Sequence, residues 1–234
     1  MPLVAAYHRP TDITEALDLL ATPGRIPLAG GTVINADRQP SSLEAVDLQA
    51  LSLDSVSTDG EVITLGSMVR LDQVMQLDDA LLAEAARREL PSTLRTVATI
   101  GGTIGAADPD SILLAALLVS GTTVHYAQGE DRSLADHLAS PSGLIVSVSL
   151  TVGGASALET TGRTPMDTPI VAATGRRLGS TVLVALTGVG THPVLVNPDD
   201  PTQGLAPPGD FRGSAAYRLH LAATLSSRVL EALA

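Results

Sequence analysis

The sequence predicts an α+β fold, and three observations carry that prediction. Near the N-terminus a helically spaced stretch and short extended runs form a small β-α-β-like unit that closes at about Asp54. In the middle, β-branched runs alternate with helical stretches around a glycine-rich segment. Towards the C-terminus, consecutive β-branched segments are followed by one long amphipathic helix, an order suited to an antiparallel sheet covered by a helix. A composition shift at Gly153-Gly154-Ala155-Ser156-Ala157 marks a domain boundary, so the expected units are 1–55, 56–153 and 154–234.

The elements follow in order. Ile13, Ala16, Leu17 and Leu20 have helical spacing, Thr11 stands as an approximate N-cap, and Pro23-Gly24 ends the helix. Arg25 to Leu28 reads as a strand, the segment around Val33 to Asp37 as a short helix or loop, and Ser42 to Leu48 as a second strand. Val62 to Gly66 is a strand, and helices are expected from Leu71 to about Gln76 and from Ala80 to Glu89, with Pro91 as a stop. Ile112 to Val119 reads as a buried helix after an N-cap region at Asp108-Pro109-Asp110-Ser111. Thr122 to Ala127 is a strand, Arg132 to Leu138 a short helix, and Gly143 to Leu150 an alternating strand. Ala157 to Arg163, Ile170 to Arg177 and Thr181 to Gly188 read as three antiparallel strands, with a helix as the alternative for Pro169 to Ala173, and His192 to Asn197 is a fourth segment. Ser214 to Leu233 is a helix with Leu219, Ala222, Leu225, Val229 and Leu233 along one face.

Composition narrows the function. Hydrophobic residues make up 44% of the 234 residues and charged ones 17%, the balance of a chain that folds. The net charge is -11 and the basic residues are all arginine, spread along the chain, which argues against a nucleic-acid partner. With no cysteine there is no disulfide, no thiolate nucleophile and no cysteine set for an iron–sulfur cluster. Met1 to Val4 carries no basic stretch followed by a long apolar run, so no signal peptide is expected. No apolar run reaches the ~18 residues that span a bilayer. A cytoplasmic protein, touching membrane only indirectly if at all, is the expectation. Aromatic residues are only 2%, so the core must be aliphatic. The five histidines lack metal-ligand spacing, and the pairs Asp199-Asp200 and Arg176-Arg177 read as solvated turn residues.

Two glycine turns carry the chemistry. Thr99-Ile100-Gly101-Gly102-Thr103-Ile104-Gly105 has three glycines within five residues, which lets backbone turn tightly and approach a bound group closely. Successive N–H groups in such a turn form an anion-binding nest, and Thr99 and Thr103 add hydroxyls that can donate to phosphate. The earlier Leu28-Ala29-Gly30-Gly31-Thr32-Val33-Ile34 repeats the pattern, and two such turns could hold the two ends of one diphosphate cofactor. Either turn alone is more often a plain connection. Neither has the spacing of a Rossmann fingerprint, and a chain without lysine has no P-loop. No G-x-S-x-G elbow appears.

Several of these segments, in this order, resemble the FAD-binding (medium) subunit of the molybdenum hydroxylases, the family of carbon monoxide dehydrogenase medium subunits and the FAD domain of xanthine dehydrogenase. The likeness rests on Leu28-Ala29-Gly30-Gly31-Thr32, Ile63-Thr64-Leu65-Gly66-Ser67, Thr99-Ile100-Gly101-Gly102-Thr103 with Asp108-Pro109, and Ser214-Ala215-Ala216-Tyr217-Arg218-Leu219 with Arg228. It covers Tyr7 to Leu233, and the glycine pair, about 70 residues apart, is its most specific part. The resemblance implies two α+β subdomains of the vanillyl-alcohol-oxidase (PCMH) type holding FAD between them, followed by a C-terminal antiparallel sheet with helices. It assigns Leu28, Ala29, Gly30, Gly31, Thr32, Val33 and Ile34 to one side of the cofactor and Thr99, Ile100, Gly101, Gly102 and Thr103 to the other, with Ile145 near a ring system. Where the family carries an acidic residue for cofactor hydroxyls this chain has Ile112; Asp108 and Asp110 are the carboxylates at hand, and Asp108 is counted with the site. Thr103 stands in place of a family asparagine, and Val33 in place of an aspartate. The implied role is electron transfer, with a small [2Fe-2S] subunit and a large molybdopterin subunit as partners, and with no catalytic acid, base or metal site in this chain. The competing expectations are a flavin-free scaffold that keeps the fold and, further off, an unrelated α+β enzyme acting on a nucleotide.

Overall fold

The computed structural model describes residues 4–34, 36, 42–162 and 167–234. Its first sheet is three-stranded and parallel, in the order β1-β3-β2, from β1 (Ala6–His8), β2 (Arg25–Leu28) and β3 (Glu44–Asp47). Parallel neighbours need a crossover, and α1 (Ile13–Leu20) provides one. Its N-cap is Asp12, whose side chain accepts from Glu15 N, and not Thr11, one residue earlier. The strand β1 is too short to show a period in sequence and is held laterally. Tyr7 donates to the buried Asp47, and His8 pairs with Glu44, which Arg25 also contacts at 2.7 Å.

The middle of the chain forms β4 (Val56–Asp59), β5 (Val62–Gly66), α2 (Leu71–Val74), α3 (Ala80–Glu89), α4 (Ser92–Arg95), α5 (Ile100–Ala106), α6 (Ile112–Val119), β6 (Thr123–Tyr126), β7 (Arg132–Ser133), α7 (Leu134–Ala139) and β8 (Ile145–Thr151). Its five strands run antiparallel in the order β4-β5-β8-β6-β7. Every residue of β4 is exposed, so it carries no apolar alternation and was not predicted. The second glycine segment departs from its predicted turn and is the helix α5. Thr99 caps it, accepting from Gly102 N, while Ile100 and Ile104 are buried one turn apart and outweigh the helix cost of the glycines.

The last part comprises β9 (Ala155–Thr160), β10 (Ala172–Leu178), β11 (Thr181–Leu186), β12 (Val194–Val196) and α8 (Ala215–Leu233), the strands antiparallel in the order β12-β11-β10-β9. The predicted first strand begins two residues earlier than expected, and its expected end at Arg163 lies outside the described residues, as do Asn35 and Asp37. Helix α8 lies so close to β10 that a Cβ on Gly175 would sit 2.3 Å from Val229 Cγ1. Among the described residues no helix is long and apolar enough to cross a membrane.

All eight residues of α6 are buried, as its apolar circumference requires. The core around it joins Val124, Val148 and Leu65 of the middle sheet to Ala172 and Ala185 of the last one. A separate, smaller core of Ala16, Leu48, Leu51, Met68 and Leu144 supports the first sheet. Arg176 is not a solvated turn residue. It is 1% exposed on β10 and forms a two-pronged pair with Asp79, the N-cap of α3, at 2.7 and 2.8 Å. A side chain so deeply placed needs a bonded carboxylate to offset its desolvation.

Candidate functional site

The two glycine segments meet in space. Gly30 packs against the chain just before the second motif, so close that a Cβ there would lie 1.9 Å from the Val97 carbonyl oxygen. A Cβ on Gly102 would be 3.8 Å from Ala29 Cβ, and one on Gly101 would be 2.7 Å from Ser67 Cβ. Gly31 has φ +68°, a left-handed conformation that glycine adopts without strain. Between the segments opens a cleft of about 350 Å³, in the size range of small-molecule sites, bounded by the first sheet on one side and the middle unit on the other.

Of the residues expected at the site, Ala29, Gly30, Gly31, Thr32, Val33, Ile34, Thr99, Gly101, Gly102, Thr103, Asp108 and Ile145 line this cleft. Leu28 and Ile100 do not: Leu28 belongs to β2, its carbonyl bonded to Leu48 N, and Ile100 is fully buried in the core. The two turns also differ in what they offer. Among the described residues, the backbone N–H groups of Gly30, Gly31, Thr32, Val33 and Ile34 have no protein acceptor. In the second segment the corresponding groups are committed. Ile100 N donates to Val69 O, Gly101 N to Ser67 O, Gly102 N to Thr99 Oγ1, and Thr103 N to Thr99 O. The Thr103 hydroxyl also donates to Thr99 O, at 3.1 Å, so a capped helix takes up the predicted nest and the Thr103 donor, while Thr99 Oγ1 acts here as an acceptor. Its glycines admit close approach, and the N–H groups without a protein acceptor lie in the first turn.

One wall residue escaped the sequence reading. Glu89, at the end of α3, lines the cleft; its carboxylate accepts from Ser111 Oγ at 2.6 Å and from Leu113 N at 2.9 Å. Burial pushes this carboxyl up to about 7, against the lowering effect of those hydrogen bonds. Ile112 lies in the core at 3% exposure, so the carboxylate that reaches the start of α6 comes from another helix. The sequence held one sign of it: an acidic residue in the last helical turn before Pro91 opposes the helix dipole and needs a reason to be there. Asp108 is exposed at the rim and accepts from Asp110 N, while Asp110 pairs with Arg212 at 2.7 Å. His125 joins Asp131 and Ser149, at 2.6 and 2.8 Å, on the sheet face opposite Val148 and Leu150, and none of the three lines the cleft. Among the described residues no His, Cys, Asp or Glu cluster is arranged to hold a metal.

Fold and cleft together define an α+β protein with a cleft of small-molecule size between its two glycine segments. Residues 3–139 match the family of the FAD binding domain in molybdopterin dehydrogenase; the chain belongs to this family, and its cofactor is FAD. Over 147 residues it is 33% identical to YgfM, an uncharacterized protein of Escherichia coli K12. That match covers 59% of this chain and 56% of the relative, little more than half of either. Among solved structures, a Cu,Mo-CO dehydrogenase has a chain with TM-score 0.85 and 22% identity, covering 100% of this chain and 98% of its own. Quinoline 2-oxidoreductase from Pseudomonas putida 86 follows the same fold, with TM-score 0.82, 21% identity and coverage of 97% and 96%. The CO dehydrogenase of Hydrogenophaga pseudoflava matches with TM-score 0.85 and 22% identity over 100% of this chain and 98% of its own. The residues present fit FAD: the unpaired N–H groups of Gly30–Ile34 are donors suited to a diphosphate, and the wall needs no lysine to receive one.

Proposed function

We propose that this chain is the electron-transfer flavoprotein subunit of a molybdenum hydroxylase, with FAD seated in the cleft between the two glycine segments. The observation that carries the reading is the row of unpaired backbone donors from Gly30 to Ile34 facing a segment whose glycines admit close approach. These donors bind the diphosphate through the main chain, and Gly101 and Gly102 leave room beside it. Ala29, Leu144 and Ile145 supply apolar wall that excludes water from a ring system. When bound, FAD supplies electron exchange between one-electron iron–sulfur centres and a two-electron acceptor. The chain has no cysteine and, among the described residues, no metal cluster, and it takes its electrons from a small [2Fe-2S] subunit and a large molybdopterin subunit. The substrate is chosen in that large subunit. The division into units 1–55, 56–153 and 154–234, with FAD between the first two, belongs to the same proposal.

The visible absorption spectrum of the purified chain, with and without added FAD and after desalting, tests it. Retained flavin bands are the expected result. A chain that holds no flavin, alone and in its assembled complex, would make it a scaffold.

A further inference from the structure

Glu89 has more bonding capacity than the protein uses. A carboxylate offers roughly four lone-pair sites. Three protein donors reach this one: Ser111 Oγ, Leu113 N and the backbone N–H of Ile112. It has no cation. Arg95 spends Nη1 on the Arg87 and Leu90 carbonyls, and Arg87 and Arg88 both pair with Glu84. Asp108 on the neighbouring loop adds negative charge, Asp110 is taken by Arg212, and α6 carries no charged side chain. The carboxylate therefore stands in the cleft wall with part of its valence open and its charge uncompensated. Such a group repels phosphate and welcomes a hydroxyl, and the phosphate donors lie elsewhere, in the Gly30–Ile34 turn.

We propose that Glu89 is a cofactor-binding residue whose ionised carboxylate accepts a hydrogen bond from a sugar or ribityl hydroxyl of FAD. The inference rests on the reading that the cleft holds FAD. It also gives binding a pH dependence. Desolvation in the cleft wall pushes the free carboxyl up to about 7. A ligand hydroxyl favours its ionised form, so binding releases a proton and tightens as pH rises through about 7.

The test is FAD titration of the full chain by flavin fluorescence from pH 6 to 8.5, for wild type, Glu89→Gln and Glu89→Ala, with Tm recorded alongside. The wild-type Kd is expected to tighten several-fold across this range. Glu89→Gln keeps an acceptor but loses the charge, so its profile is flat. Glu89→Ala weakens binding at pH 8 by about tenfold, the worth of one charge-assisted hydrogen bond. A wild-type slope retained in Glu89→Gln overturns the proposal. So does a Glu89→Ala chain that binds FAD like wild type and merely melts earlier, which would leave Glu89 as a cap for α6. If the folded wild type binds no FAD at any pH, the functional reading falls and this inference with it; unchanged binding in the variants sinks the inference alone.

Discussion

A methyl group on Gly30 would meet the Val97 carbonyl oxygen at 1.9 Å, whereas one on Gly105 would meet open space. The two glycines therefore predict opposite outcomes. Gly30→Ala must push the first turn away from the second segment, and is expected to lower both Tm and FAD affinity. Gly105→Ala fills no occupied space and removes a flexible residue from a helix, so it should raise stability by about 0.5–1 kcal/mol. Chemical denaturation of the two variants, read against wild type, checks both signs. At this scale the sequence was a fair guide to which residues gather and a poor one to what their atoms do. Thr99 and Thr103 are at the cleft, yet their hydroxyl oxygens serve the helix cap and turn of α5. Glu89 went unread because its partners, Ser111 and Leu113, lie more than twenty positions away, and no local pattern announces them.

Elements whose period matched their burial were legible. Helix α3 runs from Ala80 to Glu89 and α6 from Ile112 to Val119, the bounds their spacing and caps predicted. Those without a local signature were not: β1 is fixed by side chains reaching across to β3, and β4 is wholly exposed. Arg176-Arg177 looked like solvent chemistry, but Arg176 Nη1 and Nη2 clasp Asp79, which also caps α3 through Leu82 N at 3.0 Å. One carboxylate thus anchors a helix start and ties it to the last sheet. Burial works against its ionisation, but the hydrogen bonds from Arg176 and Leu82 overcome it and hold the Asp79 carboxyl below the ordinary carboxylate range. The folded value being the lower one, the stabilisation is present above the unfolded pKa of about 4 and is lost as pH falls through the folded one. Asp79→Ala leaves Arg176 buried without its anion and is expected to cost about 3–5 kcal/mol. Urea unfolding at pH 7 measures it, and the same series near pH 3 should show a smaller gap between variant and wild type.

For the whole molecule, the α+β class and the order of the periodic elements followed from periodicity, while the family came from short motifs that only their arrangement made specific. What no stretch of sequence disclosed is how unevenly the core is shared. Among the described residues, the apolar cluster beneath the first sheet is small, formed by Ala16, Leu48, Leu51, Met68 and Leu144, the last two from the middle of the chain. The middle and last sheets share one large core through α6. Amide exchange followed by mass spectrometry should therefore find β1 to β3 opening more readily than β5, β8 or β10. FAD should protect the first group far more than β10 and β11; equal protection throughout would contradict this.

The cleft thus lies along the seam where the molecule is least tightly sewn. A ligand gripping both banks acts as a rivet, and its binding energy is spent partly on closing the seam. The chain would then lose its cofactor by breathing at one edge, with the rest of the fold standing still.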